Sequence, residues 1–150
     1  MADVLFYHLT ESRLEDALPS LLEKSVDRGW KVAVHLASEE RRDALDAHLW
    51  TFREDSFLPH DVDRDGAGAA RQPVLLTLAQ VAANGASVRF VVDGAETPQL
   101  DGCDRLIFMF DGHDQIQVDQ ARTQWKALKA GGHTLTYWQQ TQDRRWEKRT

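Results

Sequence analysis

The sequence predicts an α/β layer fold with a largely parallel sheet, formed by one domain over residues 1–150. Short apolar runs that indicate buried strands alternate with segments whose apolar residues keep helical spacing. The length of 150 residues suits one domain, and 42% hydrophobic with 28% charged residues is typical of a globular protein with a sizeable core. Helices that join parallel strands are expected to cross over in the right-handed sense.

The first two elements are a strand and a helix. The apolar run at residues 4–9 indicates a buried strand. Ser12 and Glu15 match a capping box, and apolar residues follow at helical spacing until a stop near Gly29. Pro19 interrupts this helix, so either the helix kinks there or its regular part begins there.

The next elements are a strand, a helix and a long connection. Residues 30–36 indicate the strand, and Ser38 is predicted to cap the helix, whose first turn contains two glutamates that favour the helix dipole. Leu45 and Leu49 are expected on its buried face. Residues 50–72 form the long connection.

The second half adds the remaining strands and one helix. Three apolar runs predict strands at residues 73–77, 88–92 and 106–110. The last of them is the most apolar and is the predicted central strand. Asp114 is predicted to cap a helix that continues to Lys129 and ends at Gly131-Gly132. Residues 134–138 and 145–148 are predicted to pair as a hairpin.

The long connection is unusual because aromatic residues occur in a segment that is predicted to be a loop. Trp50, Phe52 and Phe57 lie in a stretch without a clear helical or strand period. Loops normally face water, so these rings either fold back onto the protein's own core or form a docking surface for another protein. The glycine- and alanine-rich part, at about residues 61–71, is predicted to be mobile.

The charge is distributed unevenly along the chain. From Arg122 onward seven basic and two acidic residues give a net charge of +5. Because the net charge of the whole chain is −6, residues 1–121 carry a net charge of −11. This acidic body disfavours broad DNA binding by the chain alone, although a local basic patch could receive an acidic ligand. A lone cysteine, Cys103, and the lack of a signal peptide or a long apolar run lead us to expect a cytoplasmic protein without a membrane span.

Few residue patterns indicate catalysis. No glycine-rich phosphate loop follows a strand, and the six histidines show no metal-ligand spacing, so no cofactor or metal is expected. Asp61, Asp63 and Asp65 match half of a calcium loop but lack its final glutamate. If the protein were an enzyme that handles a nucleotide or small molecule, Asp93 and Asp111 would lie at the carboxyl ends of strands. A homodimer that buries Trp50 and Phe57 is a further alternative.

The last predicted helix contains a basic row beside a tryptophan. Arg122, Lys126 and Lys129 follow one another at helical spacing next to Trp125. One interpretation is a core tryptophan with a solvated basic face. The other is a basic rim around an apolar notch, which would suit an acidic peptide that ends in a hydrophobic residue with a free carboxylate.

Several segments together resemble the chi subunit family of bacterial DNA polymerase III. These segments are Phe6-Tyr7, Gly29-Trp30-Lys31-Val32, Leu49-Trp50, Ser56-Phe57-Leu58-Pro59-His60, Gln72-Pro73-Val74, Trp125-Lys126, Tyr137-Trp138-Gln139-Gln140 and Trp146-Glu147-Lys148. The resemblance implies a Rossmann-like fold without a nucleotide site and a non-catalytic accessory of the clamp-loader assembly. It implies no cofactor, and contact with DNA only indirectly.

The resemblance also implies two partners and the residues that would contact them. The psi subunit, or another clamp-loader component, would contact Trp50, Phe57, Leu58 and Pro59. The acidic C-terminal tail of single-stranded DNA-binding protein would bind at a pocket on the last helix, formed by Arg122, Trp125 and Lys126. Some members have a further basic residue one turn earlier, where this chain has Val118, and Lys129 is expected to compensate for it.

Overall fold

The computed structural model describes residues 2–51, 58–62, 72–82 and 84–149. These residues form eight strands and three helices. In chain order the elements are β1 (Asp3–Leu9), α1 (Leu14–Asp27), β2 (Val32–His35), α2 (Glu39–Thr51), β3 (Asp61–Val62), β4 (Val74–Thr77), β5 (Val88–Val91), β6 (Arg105–Asp111), α3 (Gln115–Ala130), β7 (Thr134–Gln140) and β8 (Trp146–Lys148). The predicted α/β class is confirmed.

All eight strands belong to one sheet, in the order β3-β4-β2-β5-β6-β1-β7-β8. Every neighbouring pair is parallel except β7 and β8, which form the predicted antiparallel hairpin. β6 lies in the middle of the sheet between β5 and β1, as its apolar sequence predicts. The arrangement agrees with a Rossmann-like layered fold.

The two faces of the sheet carry separate parts of the core. Successive side chains of a strand point to opposite faces, and in β1 Phe6 packs with α3 residues while Leu9 packs with residues of α1 and α2. The larger cluster lies under α1 and α2 and includes Leu18 and Leu49. The smaller cluster lies under α3 and includes Leu128.

The start of α1 differs from the sequence prediction. Its N-cap is Arg13, which makes no side-chain capping bond, so the predicted capping box is wrong. The Ser12 hydroxyl instead accepts a hydrogen bond from Nε2 of Gln140 at 3.0 Å, because β7 brings that amide next to it. The helix continues through Pro19, which excludes a start at that residue.

The other two helices begin as predicted. The backbone N–H of Arg41 donates to the Ser38 hydroxyl at 3.3 Å at the start of α2. In α3, Asp114 is the N-cap and its carboxylate accepts from two backbone N–H groups. After α3, Gly132 has a φ of +83°, the left-handed conformation that glycine adopts readily at a helix end.

The predicted long connection begins later than expected and contains a short strand. Trp50 lies in the last turn of α2, so the helical segment extends past Leu49. Asp61 and Val62 form β3 and pair with β4, although they belong to the segment predicted to be mobile. Residues 63–71 of that segment, and Phe57, lie outside the described residues. Among the residues that the structure describes, no helix has the length and apolar content that a membrane span requires.

Candidate functional site

A cavity of about 640 Å³ lies between α3, β1, β7 and the end of the β8 hairpin. Its floor is mainly aromatic and its rim is cationic, and we call it the α3 pocket. The floor includes Phe6, Phe110, Trp125 and Tyr137, and the rim includes Arg122, Lys126 and Arg149. The structure therefore brings Arg122, Trp125 and Lys126 of the predicted row together around one cavity.

The floor of the α3 pocket is held by edge-to-face contacts between rings. The Phe6 and Trp125 rings have centroids 5.2 Å apart at 66°, and those of Trp125 and Tyr137 are 6.0 Å apart at 79°. Such geometry is favourable for aromatic pairs. Trp125 is half-buried, so it packs on the core and also lines the cavity, which combines the two interpretations of this residue.

The rim carries cations from two different parts of the chain. Arg122 and Lys126 lie one turn apart on α3, and both are exposed. The Arg122 guanidinium lies 3.9 Å from the exposed carboxylate of Asp119, a distance at which an ion pair contributes little. Lys129 lies on the same helix but does not line the cavity.

Arg149 supplies the third cation, and sequence reasoning missed it. It follows β8, and its backbone N–H donates to the carbonyl of Tyr137 at 2.8 Å. Residues paired across a hairpin share a face, so the Arg149 side chain lies on the same face as the Tyr137 ring. Its guanidinium also lies 3.5 Å from Glu147. The hairpin register was the signal that could have identified this residue.

Val118 stands where some members of the family have a basic residue. Val118 is half-buried and lines the α3 pocket one turn before Arg122. Lys129, which was expected to compensate for the missing basic residue, does not line the cavity, whereas Arg149 does. The third positive charge therefore reaches the pocket from the hairpin rather than from the helix.

The remaining polar groups of the α3 pocket are neutral. His8 Nδ1 and the Tyr137 hydroxyl lie 2.5 Å apart and share a hydrogen bond. Burial, helped by nearby His113, lowers the pKa of His8, and burial raises the pKa of Tyr137 despite the opposing effect of Arg122 and Arg149. At neutral pH the pocket's charge therefore comes from its arginines and its lysine.

Gly112 allows His8 to occupy this position. A Cβ atom on Gly112 would lie 2.2 Å from His8 Nε2 and 2.9 Å from the carbonyl oxygen of Leu9. The side chain of any other residue would have to displace the histidine or the backbone at the end of β1. The turn after β6 therefore helps to fix one wall of the α3 pocket.

The residues at the end of α2 and just after it differ in burial. Trp50 is 51% exposed, and its ring lies 4.4 Å from that of His60. Leu58 is 2% exposed and belongs to the larger core cluster, so its side chain is not available at the surface. Pro59 is half-buried, and Phe57 lies outside the described residues. α2 and α3 cover opposite faces of the sheet, so Trp50 and the α3 pocket belong to different sides.

The two aspartates considered for an enzyme do lie together at the carboxyl ends of the strands. Asp93 and Asp111 line a crevice of about 300 Å³. Arg41 Nη2 lies 2.7 Å from Glu15 and 2.9 Å from Asp93, and the Asp111 carboxylate accepts from the backbone N–H of His113. Arg41 thus forms ion pairs with two of the carboxylates that line this crevice, Glu15 and Asp93. In the described part of the chain, no three acidic, histidine or cysteine side chains are grouped so that they could hold a metal ion.

Comparison with known proteins agrees with the resemblance noted in the sequence. Residues 1–136 match the family described as "DNA polymerase III chi subunit, HolC". A relative from Pseudomonas aeruginosa, named DNA polymerase III subunit chi, is 39% identical over 64 residues. That segment covers 43% of this chain and 43% of the relative's length. Because the family match spans most of the sequence, this chain belongs to the family of DNA polymerase III chi subunits.

Proposed function

We propose that this chain is a non-catalytic accessory subunit in DNA replication that binds the acidic C-terminal tail of single-stranded DNA-binding protein in the α3 pocket. The observation that carries the proposal is the arrangement of Arg122, Lys126 and Arg149 around an aromatic floor. The family name supports the replication context, because the chi subunit is a component of DNA polymerase III.

The chemistry of the pocket matches each part of such a tail. Arginine side chains pair with carboxylates through two parallel hydrogen bonds, which suits a free C-terminal carboxylate. The floor of Phe6, Trp125 and Tyr137 offers apolar surface for a terminal hydrophobic side chain. Acidic residues further along the tail would be attracted by the remaining rim charges.

The same proposal includes a second partner on the opposite side of the sheet. Trp50 presents about half of its surface at the end of α2, where its ring packs near that of His60. Tryptophan is enriched among residues that dominate protein interfaces. We therefore assign the psi subunit, or another clamp-loader component, to the surface around Trp50, and the chain would link that assembly to the tail bound in the α3 pocket.

Isothermal titration with a synthetic acidic peptide that ends in Pro-Phe tests the proposal. Micromolar affinity is expected, since the contact area is small, and affinity should fall as salt is added because charges are screened. The Arg122→Ala variant should bind at least about tenfold more weakly, as expected for loss of a charged hydrogen-bonding partner. A peptide with the same composition but an amidated C-terminus is the matched control. Absence of binding, or equal affinity in the variant, would overturn the assignment.

A further inference from the structure

A second basic cavity lies on the opposite face of the sheet from the α3 pocket. It has a volume of about 220 Å³ and is formed by the C-terminal part of α1, the start of β6 and the middle of β1. We call it the α1 cleft; its cationic lining residues are Lys24, Arg28 and Arg105, and its aromatic lining residues are Tyr7, Trp30 and Phe90. Among the described residues that line it, none is acidic.

Two guanidinium groups in the α1 cleft are positioned by one indole. The guanidinium carbons of Arg28 and Arg105 each lie 5.1 Å from the centre of the Trp30 ring. Arginine stacked on an aromatic ring keeps its N–H groups available, and the contact reduces the freedom of the side chain. Arg105 also lies 3.7 Å from Asp3, whereas in the described part of the chain no ion pair joins Arg28 to a carboxylate.

The cleft opens onto a row of aromatic rings. Tyr7, which lines it, is stacked near Trp138 with centroids 6.4 Å apart and contacts Trp146 edge-to-face at 4.8 Å. Both tryptophans are half-buried. Exposed Lys148 pairs with Trp138 across the hairpin, so its side chain lies on this same face. The basic and aromatic surface therefore extends beyond the cavity toward the edge of the sheet.

We propose that the α1 cleft and the neighbouring aromatic row bind the backbone of a single-stranded nucleic acid. Proteins that bind single strands combine cations that follow the phosphates with aromatic rings on which bases stack. The cavity is smaller than the roughly 300–1,000 Å³ typical of small-molecule sites, which favours a polymer that lies across it over an enclosed metabolite.

The net negative charge of the chain would by itself disfavour binding of a nucleic acid. A net charge of −6 opposes DNA binding by the whole surface. At physiological salt, screening limits the distance over which an exposed charge acts to about 8–10 Å. The electrostatic potential within the cleft is therefore determined by Lys24, Arg28 and Arg105. The binding is expected to be weak and to add to contacts made elsewhere in a replication assembly.

Fluorescence anisotropy of a labelled oligothymidylate tests the proposal with the 150-residue chain. The oligonucleotide is longer than about 16 nucleotides, the upper end of the range that one single-strand-binding fold covers. Binding is expected at low salt. The slope of log affinity against log salt should be about −2, as expected when three cations contact a single strand. Arg28→Glu and Lys24→Glu should each weaken binding by about tenfold. Both residues are exposed, so the variants are expected to fold, which circular dichroism verifies.

The matched control is Lys129→Glu, which makes the same charge change at an exposed residue outside both cavities. Its affinity should stay within about twofold of the parent protein, because its charge is distant from the bound strand. No binding at low salt, an equal loss in Lys129→Glu, or equal competition by polyglutamate would overturn the proposal. The tail-peptide titration is independent: Arg28→Glu should leave it unchanged, and Arg122→Ala should leave oligothymidylate binding unchanged.

Discussion

His48 Nε2 of α2 lies 2.7 Å from the carbonyl oxygen of Glu15 in α1. In a regular helix this carbonyl would accept from the backbone N–H four residues later, but that residue is Pro19, which has no N–H. The histidine therefore provides the donor that the proline removes. This contact explains how α1 accommodates an internal proline, and it connects the two helices on this face of the sheet.

A double-mutant cycle tests this compensation. His48→Ala should lower the free energy of unfolding by about 1–2 kcal/mol, because it leaves the Glu15 carbonyl without its partner. In a Pro19→Ala background the helix supplies its own donor, so the same histidine change should cost less than half as much. Urea denaturation of the four proteins measures the coupling. Equal costs in both backgrounds would show that His48 stabilises α1 in another way.

The α3 pocket predicts which arginines and lysines matter for the acidic tail. Arg149→Ala should weaken binding of the Pro-Phe peptide by about threefold to tenfold, since it removes one of the rim charges. Lys129→Ala removes the same charge outside the cavity and should change affinity by less than about twofold. Isothermal titration compares the two variants directly. A larger effect for Lys129 would show that the basic row along α3, rather than Arg149, binds the peptide.

Gln140 joins the end of β7 to the turn after β1. Its side-chain oxygen lies 3.2, 3.0 and 3.0 Å from the backbone nitrogens of Thr10, Glu11 and Ser12, and the residue is buried. Gln140→Leu should lower the free energy of unfolding by about 2–3 kcal/mol, because three backbone N–H groups lose their shared acceptor. Gln140→Glu keeps an acceptor of the same shape and should cost less than half as much at pH 7. Urea denaturation measures both; equal costs would contradict this role.

His35 should make stability depend on pH. Burial lowers its pKa from 6.5 to about 4, with nearby Arg89 acting in the same direction and the Ala79 carbonyl opposing them. The side chain is 3% exposed, and within the described residues its Nε2 has no hydrogen-bond partner. Because the unfolded chain takes up the proton first, full stability is present above pH 6.5 and falls by about 3 kcal/mol as pH drops to about 4.

The variant His35→Asn separates this effect from the other titrating groups. Asparagine retains a donor near the position of Nδ1 but does not titrate. The difference in unfolding free energy between the two proteins should therefore change by about 2 kcal/mol between pH 7 and pH 5, in favour of the variant at the lower pH. A difference that stays constant over this range would show that the pKa of His35 is the same in the folded and the unfolded protein.

Trp50 distinguishes a docking surface from a core residue. Because its side chain is 51% exposed, Trp50→Ala should lower the free energy of unfolding by less than about 1.5 kcal/mol, far below the cost of removing a buried aromatic ring. Binding of the tail peptide should stay unchanged, while binding to a clamp-loader component should weaken. Pull-down with purified psi subunit measures the second effect. Unfolding of the variant, or loss of a homodimer in light scattering, would identify a different role.

The elements that local patterns determine were predictable from the sequence. The apolar run of β6 was enough to predict that strand. Ser38 and Asp114 were enough to predict the starts of α2 and α3, because their side chains form hydrogen bonds within the first turns of these helices. Ser12 shows where this reasoning fails. Its capping pattern is intact in the sequence, but Gln140, more than a hundred residues later, binds its hydroxyl in the fold.

The candidate site was predictable in part for the same reason. Arg122, Trp125 and Lys126 lie on one helix, so their spacing alone places them together. Arg149 reaches the α3 pocket through the register of a hairpin, and Arg28 meets Arg105 at Trp30 through packing between distant segments. The first depends on the exact register of the predicted hairpin, and the second has no local sequence pattern. Trp50 was assigned to a loop because helix ends are the boundaries that sequence patterns fix least well.

The walls of the α3 pocket come from β1, β6, α3 and β7 and from Arg149 after β8. Contacts between segments so distant in sequence require a long loop to close, which costs chain entropy before the contacts contribute. A partly folded chain therefore has no pocket to offer, however well its individual helices have formed. Any ligand of this pocket binds the native state alone, and its binding energy adds directly to the stability of the complete sheet. Recognition by a partner would thus act as a check that folding has finished.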